Sequence, residues 1–284
     1  MLIGLNDECL TGFSFLEPRA VSILNYMEIR TLGRTGLQVG RLGMAASFGV
    51  PTPAVERAFD RGVNYLYWGT FRRGPFGQAL RNLKPQRDRM VLVLQSYSRV
   101  AALMAPSVEI ALRKLNFDHA DVLLLGLWNH KPPRRILDAS NKLRERGLIR
   151  HIAISTHHRP LVAELNADPG VGIVHVRYNA VHKGAEGEVF PLLPANNGGP
   201  GIVAFTATSW RQLLNPKRMP PGERVPTATD CYRFVLSNSS VDVCMTGPSN
   251  AAQADDALRA AELGPMGEEE LAWMRRVGDF IHKH

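Results

Sequence analysis

Side chains that can move a proton or bind an anion directly follow several short apolar runs of this chain. Histidine titrates near pH 6.5 unaided, whereas a phenol titrates near pH 10 and needs a cationic partner to act as an acid near neutrality. Either group is a candidate general acid, and the alternative is a pocket that aromatic groups fill without chemistry. The candidates are Tyr67, Arg72, Arg73, Gln95, Tyr97, Trp128, His130, Ser155, Thr156, His157, His158, Tyr178, Asn179 and His182.

Metal and nucleophile chemistry are poorly matched by the residue spacing. Cys9, Cys231 and Cys244 stand far apart without a C-x-x-C pair, which argues against a zinc site or a disulfide framework and favours a reducing compartment. His157 and His158 are adjacent, so their side chains diverge, and neither H-E-x-x-H nor G-x-S-x-G occurs. We therefore expect no metal site.

The composition is that of a globular protein. Of 284 residues, 45% are hydrophobic and 21% are charged, which excludes a disordered chain, and no apolar run reaches the roughly 18 residues of a membrane span. The net charge of +8 comes without a block of five basic residues, so a solvated basic surface is favoured over nucleic-acid binding. We expect a cytoplasmic protein that acts on a small-molecule substrate, without nucleic acid or membrane as its partner; its oligomeric state stays open.

Eight near-continuous apolar runs predict strands that are buried on both faces. They span 40–46, 63–68, 90–95, 120–127, 151–156, 172–179, 201–206 and 241–246. Helix-like stretches lie between most of them and at the end, over 53–61, 106–116, 134–146, 159–167, 227–238, 250–262 and 267–283.

Strands that alternate with helical crossovers predict an α/β fold with a parallel sheet. Eight strands in about 250 residues favour a (β/α)8 TIM barrel. The alternative is an open doubly wound sheet, which would carry G-x-G-x-x-G after its first strand, and Gly40 and Gly43 lack that spacing. In a barrel, the candidate side chains share the C-terminal face, where such barrels place their sites.

Residues 1–26 differ from the rest of the chain. Asp7 and Glu8 stand where a secretory signal would be basic. From residue 27 onward, two apolar runs around Gly33 and Gly36 predict a β-hairpin over 30–39. We expect 1–26 to be a disordered tail or sequence outside the native protein, and 27–284 to be one barrel domain with an N-terminal β-hairpin.

A series of short motifs runs in a fixed order through residues 27 to about 271. They are Arg30-Thr-Leu-Gly-Arg-Thr-Gly-Leu37, Leu42-Gly43, Gly62-Val-Asn64, Gly77-x-Ala79-Leu80, Leu112-x-x-Leu115, Asp118-His-Ala-Asp-Val122, Gly147-Leu-Ile-Arg150, Ile152-Ala-Ile-Ser155, Arg177-Tyr178-Asn179, Gly201-Ile-Val-Ala-Phe205 and Gly247-x-x-Asn250-x-x-Gln253. In this order they resemble the aldo-keto reductases. The resemblance implies a TIM barrel that reduces carbonyl compounds with NAD(P)H.

The catalytic residues of that family do not carry over. There, a tyrosine protonates the carbonyl oxygen, a lysine paired with an aspartate lowers the tyrosine pKa, and a histidine orients the carbonyl. The aligned positions hold Tyr67 for the aspartate, Arg72 for the tyrosine, Gln95 for the lysine and Gly126 for the histidine. The usual proton relay is therefore missing from this sequence.

The resemblance also implies a dinucleotide, NADP or NAD, across the top of the barrel. Thr156 replaces an asparagine that holds the nicotinamide, and Phe205 replaces a stacking tyrosine. Ser249 stands where NADP-preferring members often have arginine, so the preference stays open, and Asn250 has a second reading as a helix cap. The implied contacts are Ser155, Thr156, Phe205, Thr206, Gly247, Ser249, Asn250 and Gln253.

Two functions remain open at this point. One is an oxidoreductase of aldo-keto reductase type that acts on an unknown carbonyl compound with an atypical acid. That acid would be Tyr97, His130 or His157, with Arg72 or Arg73 as the cationic partner of a tyrosinate. The other is a non-catalytic barrel that binds a nucleotide or a protein partner.

Overall fold

The structure is a computed structural model that describes residues 27–69 and 71–284. The expectation for residues 1–26 lies outside these residues. An antiparallel hairpin precedes a closed barrel of eight parallel strands, and the last strand pairs back onto the first. The predicted (β/α)8 barrel with its N-terminal β-hairpin is therefore confirmed.

The strands follow the predicted apolar runs to within a few residues. The hairpin consists of β1 (Ile29–Thr31) and β2 (Gln38–Gly40). The barrel strands, in their order around the barrel, are β3 (Leu42–Ala45), β4 (Tyr65–Trp68), β5 (Val91–Ser96), β6 (Ala120–Leu125), β7 (Ile149–Thr156), β8 (Ile173–Arg177), β9 (Gly201–Phe205) and β10 (Val243–Thr246).

Helices surround the barrel and bury their apolar faces against it. They are α1 (Thr52–Asp60), α2 (Gly74–Asn82), α3 (Met104–Leu115), α4 (Arg134–Glu145), α5 (Leu161–Asn166), α6 (Ala185–Glu188), α7 (Ala228–Leu236), α8 (Ala251–Leu263) and α9 (Glu268–Lys283). Local chemistry sets their ends: Thr227 and Asp230 form a capping box at the start of α7, and Asn116 ends α3 in the left-handed conformation. The sequence did not predict α2, because its glycines mask a helix whose proline occupies the first turn.

The hairpin closes the N-terminal end of the barrel. Leu32 and Val39 are fully buried and join the apolar residues that fill the barrel interior. Gly33 has a φ of +46°, and a Cβ there would lie 2.1 Å from the backbone nitrogen of Gly201. Only glycine allows this close approach of hairpin and β9. The hairpin thus covers the N-terminal end, and the candidate site residues lie at the opposite, C-terminal ends of the strands.

A polar pair lies within the otherwise apolar barrel interior. The Tyr65 hydroxyl and His175 Nε2 are 2.8 Å apart, and both side chains are buried. Burial lowers the pKa of His175 to about 3, so the imidazole is neutral near pH 7. Burial raises the pKa of Tyr65, which keeps the phenol neutral as well. The pair satisfies both polar groups without introducing a charge into the core.

Candidate active site

Tyr97 lies in the space that a side chain at position 126 would occupy. A Cβ built on Gly126 would be 2.4 and 2.5 Å from two Tyr97 ring carbons and 2.7 Å from Gln95 Nε2. Ordinary carbon contacts are about 3.5–4.0 Å, so no side chain fits there while Tyr97 keeps this position. Gly126 is the position expected from the sequence to correspond to the family's histidine, and the Tyr97 ring occupies the space that a side chain there would take.

Tyr67, at the family's aspartate position, interacts with Tyr97. Burial raises the pKa of Tyr67, and its charge interaction and hydrogen bond with Tyr97 raise that pKa further. The two phenols are therefore neighbours at the barrel mouth. The positive charge of Arg73 acts on the Tyr67 pKa in the opposite direction.

Gln95 carries an unsatisfied acceptor beside the tyrosine pair. Its Oε1 is buried and has no hydrogen-bond partner among the residues that the structure describes. A buried amide oxygen without a partner costs about 1–3 kcal/mol. A donor from a bound molecule at the barrel mouth would remove that cost.

The two arginines after β4 have different surroundings. Arg73 lies over the Trp68 ring, 4.0 Å from its centroid, and donates to the Gly69 carbonyl at 3.0 Å. Arg72 is exposed, has a φ of +44°, and runs its aliphatic stem past Gly49. Within residues 27–69 and 71–284, Arg72 makes no hydrogen bond or ion pair, and the charge that acts on Tyr67 is that of Arg73.

His130 lies at the rim of the mouth. It is exposed and packs edge-on against Trp128, whose ring centroid is 5.4 Å from the imidazole. Arg99 covers the same indole at 3.5 Å and donates to the Leu127 carbonyl. The structure thus places His130 in a surface cluster around Trp128.

His157 belongs to a second cluster, at the ends of β7, β8 and β9. Its ring is 5.4 Å from the Phe205 ring, and its Nδ1 is buried without a hydrogen-bond partner in the described part of the chain. Burial and the charge of Arg177 lower the pKa of His157. The pKa of His182 falls to about 4, mainly through burial and then through Arg177. Both imidazoles are therefore neutral near pH 7.

Tyr178 and Asn179 form hydrogen bonds to the segments around the site. The Tyr178 hydroxyl donates to Glu186 at 2.6 Å, and Glu186 in turn accepts two hydrogen bonds from Arg275 on α9. The Asn179 amide donates to the Thr206 carbonyl at 2.8 Å, which fixes the start of the loop after β9. Neither side chain is free to act on a ligand.

The two hydroxyls after β7 differ in their availability. Ser155 Oγ accepts a hydrogen bond from the Leu127 N–H at 3.1 Å, which leaves its own proton for another acceptor. Thr156 Oγ1 accepts from the His158 N–H at 2.9 Å and is buried in that local turn. Of the two, Ser155 is the one that can hold a carboxamide.

The loop after β9 has an unusual backbone. Thr206, Ser209, Trp210 and Arg211 all have φ between +49° and +70°. The Ser209 hydroxyl is buried without a partner among the described residues. Within the loop, the Ser209 N–H donates to the Thr206 carbonyl at 2.8 Å and the Gln212 N–H donates to the Ser209 carbonyl at 3.0 Å. The sequence suggested only Thr206 here; runs of left-handed backbone in residues other than glycine have no sequence signature.

Side chains at the start of α8 bind one another. Asn250 caps the helix by accepting from the Gln253 N–H at 2.9 Å. Gln253 Oε1 accepts from the backbone N–H and the hydroxyl of Ser249. A Cβ on Gly247 would be 2.5 Å from the Phe48 ring, so the loop after β3 lies directly over this stretch.

Metal-ligand clusters and membrane-crossing helices are not found in the part of the chain that the structure describes. No group of three His, Cys, Asp or Glu side chains among them is arranged to hold a metal ion. No helix over 27–69 and 71–284 has the length and hydropathy to cross a membrane. Cys231 and Cys244 are both buried, and burial raises the pKa of each thiol.

Comparisons with known proteins agree with this architecture. The chain is 22% identical over 291 aligned residues to L-galactose dehydrogenase of Arabidopsis thaliana, with 86% of this chain and 91% of that protein covered. Its fold is similar to that of aldo-keto reductase AKR11C1 from Bacillus halodurans. The TM-score is 0.73 with 22% sequence identity for the holo form, and 0.70 with 23% sequence identity for the apo form. In both cases 88% of this chain and 96% of the other are covered.

The sequence model of the aldo/keto reductase family matches residues 51–218. The matched region runs from the start of α1 to beyond β9, and it covers more than half of the chain. The protein belongs to the aldo/keto reductase family.

Proposed function

We propose that the protein reduces a carbonyl compound with NADPH or NADH and that Tyr97 donates the proton. The observation that carries the proposal is the place of the Tyr97 ring over Gly126, where the family's histidine faces the reacting carbonyl. An acid must lie within hydrogen-bond reach of the oxygen that it protonates. Tyr97 is the ionisable side chain that fills this place.

Residues of the chain match the parts of a dinucleotide at three points. Ser155 retains a proton for the carboxamide, and Phe205 offers an aromatic face beside it. The left-handed turn at Thr206–Arg211, with its unsatisfied Ser209 hydroxyl, suits the phosphates. The Gly247–Asn250 stretch and Gln253 would contact the remainder across the start of α8, once the hydrogen bonds between Ser249 and Gln253 rearrange. A nicotinamide held by these residues would supply the hydride for the carbonyl carbon.

The tyrosine pair supplies the proton and stabilises the charge that follows. The Tyr97 hydroxyl donates its proton to the carbonyl oxygen. The neighbouring Tyr67 phenol would stabilise the Tyr97 phenolate by donating a hydrogen bond to it, and the positive charge of Arg73 acts on Tyr67. The orphan Gln95 Oε1 is placed to accept a hydrogen bond from a substrate hydroxyl. His157, whose ring centroid is 5.4 Å from that of Phe205, is the second candidate, and its lowered pKa makes it the weaker one because a neutral imidazole has no acidic proton to give.

Catalysis of generic aldehyde reduction should be weak. A general acid contributes about 10²–10⁴-fold to a rate, and this chain lacks the lysine and aspartate that tune it in relatives. The test is NADPH oxidation with a panel of aldehydes and ketones, after titration of the protein with NADPH and NADH by cofactor fluorescence. Tyr97→Phe should abolish turnover without changing cofactor affinity. His157→Ala, compared with His158→Ala next to it, tests the second candidate.

A non-catalytic barrel that binds a nucleotide or a protein partner is the alternative. It is favoured by the loss of all four family residues at Tyr67, Arg72, Gln95 and Gly126. Its expected result is tight NADPH or NADH binding with no turnover on any member of the panel. Turnover of generic aldehydes at the rates of ordinary reductases would contradict both readings, because it would require a proton relay that neither contains.

A further inference from the structure

The positive charge of the molecule is concentrated at the barrel mouth. The loops that follow the barrel strands span 46–51, 69–73, 97–103, 126–133, 157–160, 178–184, 206–227 and 247–250. By sequence they contain ten Lys and Arg residues and one acidic residue, Glu223, which is paired with Arg276 on α9. A cleft lined by one sign of charge attracts ligands of the opposite sign.

The opposite end of the barrel lacks this bias. The loops that lead into the strands there span 61–64, 83–90, 116–119, 146–148, 167–172, 189–200 and 237–242. Together with the hairpin over 27–41 that covers this end, they contain eight Lys and Arg residues and five acidic residues, an excess of three against nine at the mouth. The excess at the mouth is therefore a property of one face rather than of the whole surface.

Part of the charge at the mouth is neutralised locally. Four of the ten cations form ion pairs with carboxylates outside these loops: Lys131, Arg159, Lys183 and Arg224. The loops after β4 and β5 hold Arg72, Arg73 and Arg99, which have no carboxylate partner among the described residues. Around the barrel, β5 lies opposite β9, whereas β4 is separated from β10 by β3 alone. The three arginines therefore belong to other loops than the two on which the cofactor phosphates are proposed to lie.

Of the three, Arg72 is the one that makes no hydrogen bond, ion pair or contact with an aromatic ring among the described residues. Arg73 and Arg99 each cover a tryptophan and donate to a backbone carbonyl, so their guanidinium groups are committed to the loops that carry them. Arg72 is exposed, is not hydrogen-bonded within the described residues, and follows the strand that ends with Tyr67 and Trp68. Phe48, Phe71 and Tyr97, on the loops after β3, β4 and β5, are exposed aromatic side chains, 54%, 74% and 54% accessible.

We propose that the substrate is an anionic carbonyl compound whose carboxylate binds Arg72 and whose apolar body contacts the aromatic rim. This inference rests on the proposed reduction and names its substrate class. Arginine binds a carboxylate through two parallel N–H···O bonds. These bonds fix the orientation of the substrate's carbonyl group and add to the affinity for the substrate. Arg72 is thus a substrate-binding residue at the position where relatives carry the proton donor.

Binding of a non-reactive probe tests the proposal independently of turnover. With NADP⁺ present, benzoate and benzamide differ in charge but hardly in shape, and their dissociation constants are measured by calorimetry. Benzoate should bind at least 10-fold more tightly than benzamide. Arg72→Gln should remove that difference, and Arg72→Lys should restore part of it because the charge is kept and the planar fork is lost. Arg113→Gln, at an exposed site at the end of α3, is the control for the loss of one charge.

Turnover gives the second arm of the test. The enzyme should prefer 4-formylbenzoate over its neutral methyl ester by 10-fold or more in kcat/KM, and Arg72→Gln should abolish the preference by raising KM. Equal binding of benzoate and benzamide, or an Arg72→Gln variant that weakens only NADPH binding, would overturn the anionic class. Absence of turnover with both aldehydes, while benzoate binding still depends on Arg72, would contradict the proposed reduction alone.

Discussion

The place of Tyr97 over Gly126 makes a glycine-to-alanine change a sharp test of the proton donor. A Cβ at position 126 would be 2.4 Å from the nearest Tyr97 ring carbon, about 1 Å closer than carbon atoms tolerate. The phenol ring must then move. Its side chain is 54% accessible, so it can swing toward solvent instead of deforming the barrel. Gly126 itself has no left-handed φ, and alanine adds no backbone strain there.

Gly126→Ala should therefore separate activity from stability. Displacing a general acid costs about 10²–10⁴-fold in kcat/KM, which corresponds to about 3–5 kcal/mol of transition-state stabilisation. The free energy of unfolding should fall by no more than about 1 kcal/mol, because the displaced ring is half exposed. Steady-state NADPH oxidation and urea denaturation measure the two quantities, and NADPH fluorescence checks that cofactor affinity is unchanged.

Two further variants give this experiment its controls. Gly187→Ala, in α6, places a methyl group where no atom lies within 4 Å, and it should leave both quantities unchanged. The double variant Gly126→Ala/Tyr97→Phe should lose no more activity than either single variant, since both remove the same proton donor. If Gly126→Ala keeps the activity of the unmodified protein, or if the two losses add, Tyr97 is not the donor and the reasoning from its position fails.

Three further predictions concern the buried polar groups. Because burial lowers the His175 pKa to about 3, only the unfolded chain binds a proton at this residue between about pH 6.5 and 4.5, and the free energy of unfolding falls as the pH decreases. Between pH 6.5 and 4.5, this group should lower the free energy of unfolding by about 2–3 kcal/mol. Urea titrations should therefore show a steeper pH dependence for the unmodified protein than for His175→Gln. Tyr65→Phe removes the partner of the buried imidazole and should lower the free energy of unfolding by about 1–3 kcal/mol at pH 8; an unchanged midpoint would mean that the 2.8 Å contact contributes nothing. Arg233→Met breaks the ion pair with Glu270 and the hydrogen bonds to the carbonyls of Gly264 and Pro265, in the segment between α8 and α9. Urea denaturation should show that the free energy of unfolding falls by about 2–4 kcal/mol, whereas Arg113→Gln should leave it nearly unchanged.

The fold could be predicted from the sequence because strands that are buried on both faces have a simple sequence pattern. Strands such as β6, with six buried residues in a row, read as continuous apolar runs, and turn and cap residues mark where each run stops. The hairpin was similarly visible from its glycines. The helix α2 was not, since its two glycines and proline resemble a loop until the proline is placed in the first helical turn.

The site was predicted only as a list of residues at a common edge. Strand ends brought Tyr67, Tyr97 and Gly126 to the same mouth, as a barrel requires. The spacing of residues in the sequence could not show that Tyr178 donates a hydrogen bond to Glu186, or that His130 packs against Trp128 at the rim. Both contacts depend on tertiary packing. The alternation of Ser155 and Thr156 along β7 gives one free hydroxyl and one bound to its own turn, which only the hydrogen bonds reveal.

The departures from the family at the barrel mouth form one rearrangement. Tyr97 takes the histidine's space only because position 126 is glycine, and the Gln95 amide lies against the same point. Without an aspartate at position 67, a lysine at position 95 would be a half-buried cation facing a neutral phenol, and such a charge costs several kcal/mol. A neutral amide at position 95 and a phenol at position 67 avoid that cost. Unconstrained drift would leave cavities and unpaired charges here, whereas Tyr67 and Gln95 place neutral groups around the half-exposed Tyr97 phenol, which supports the proposal that Tyr97 is a proton donor.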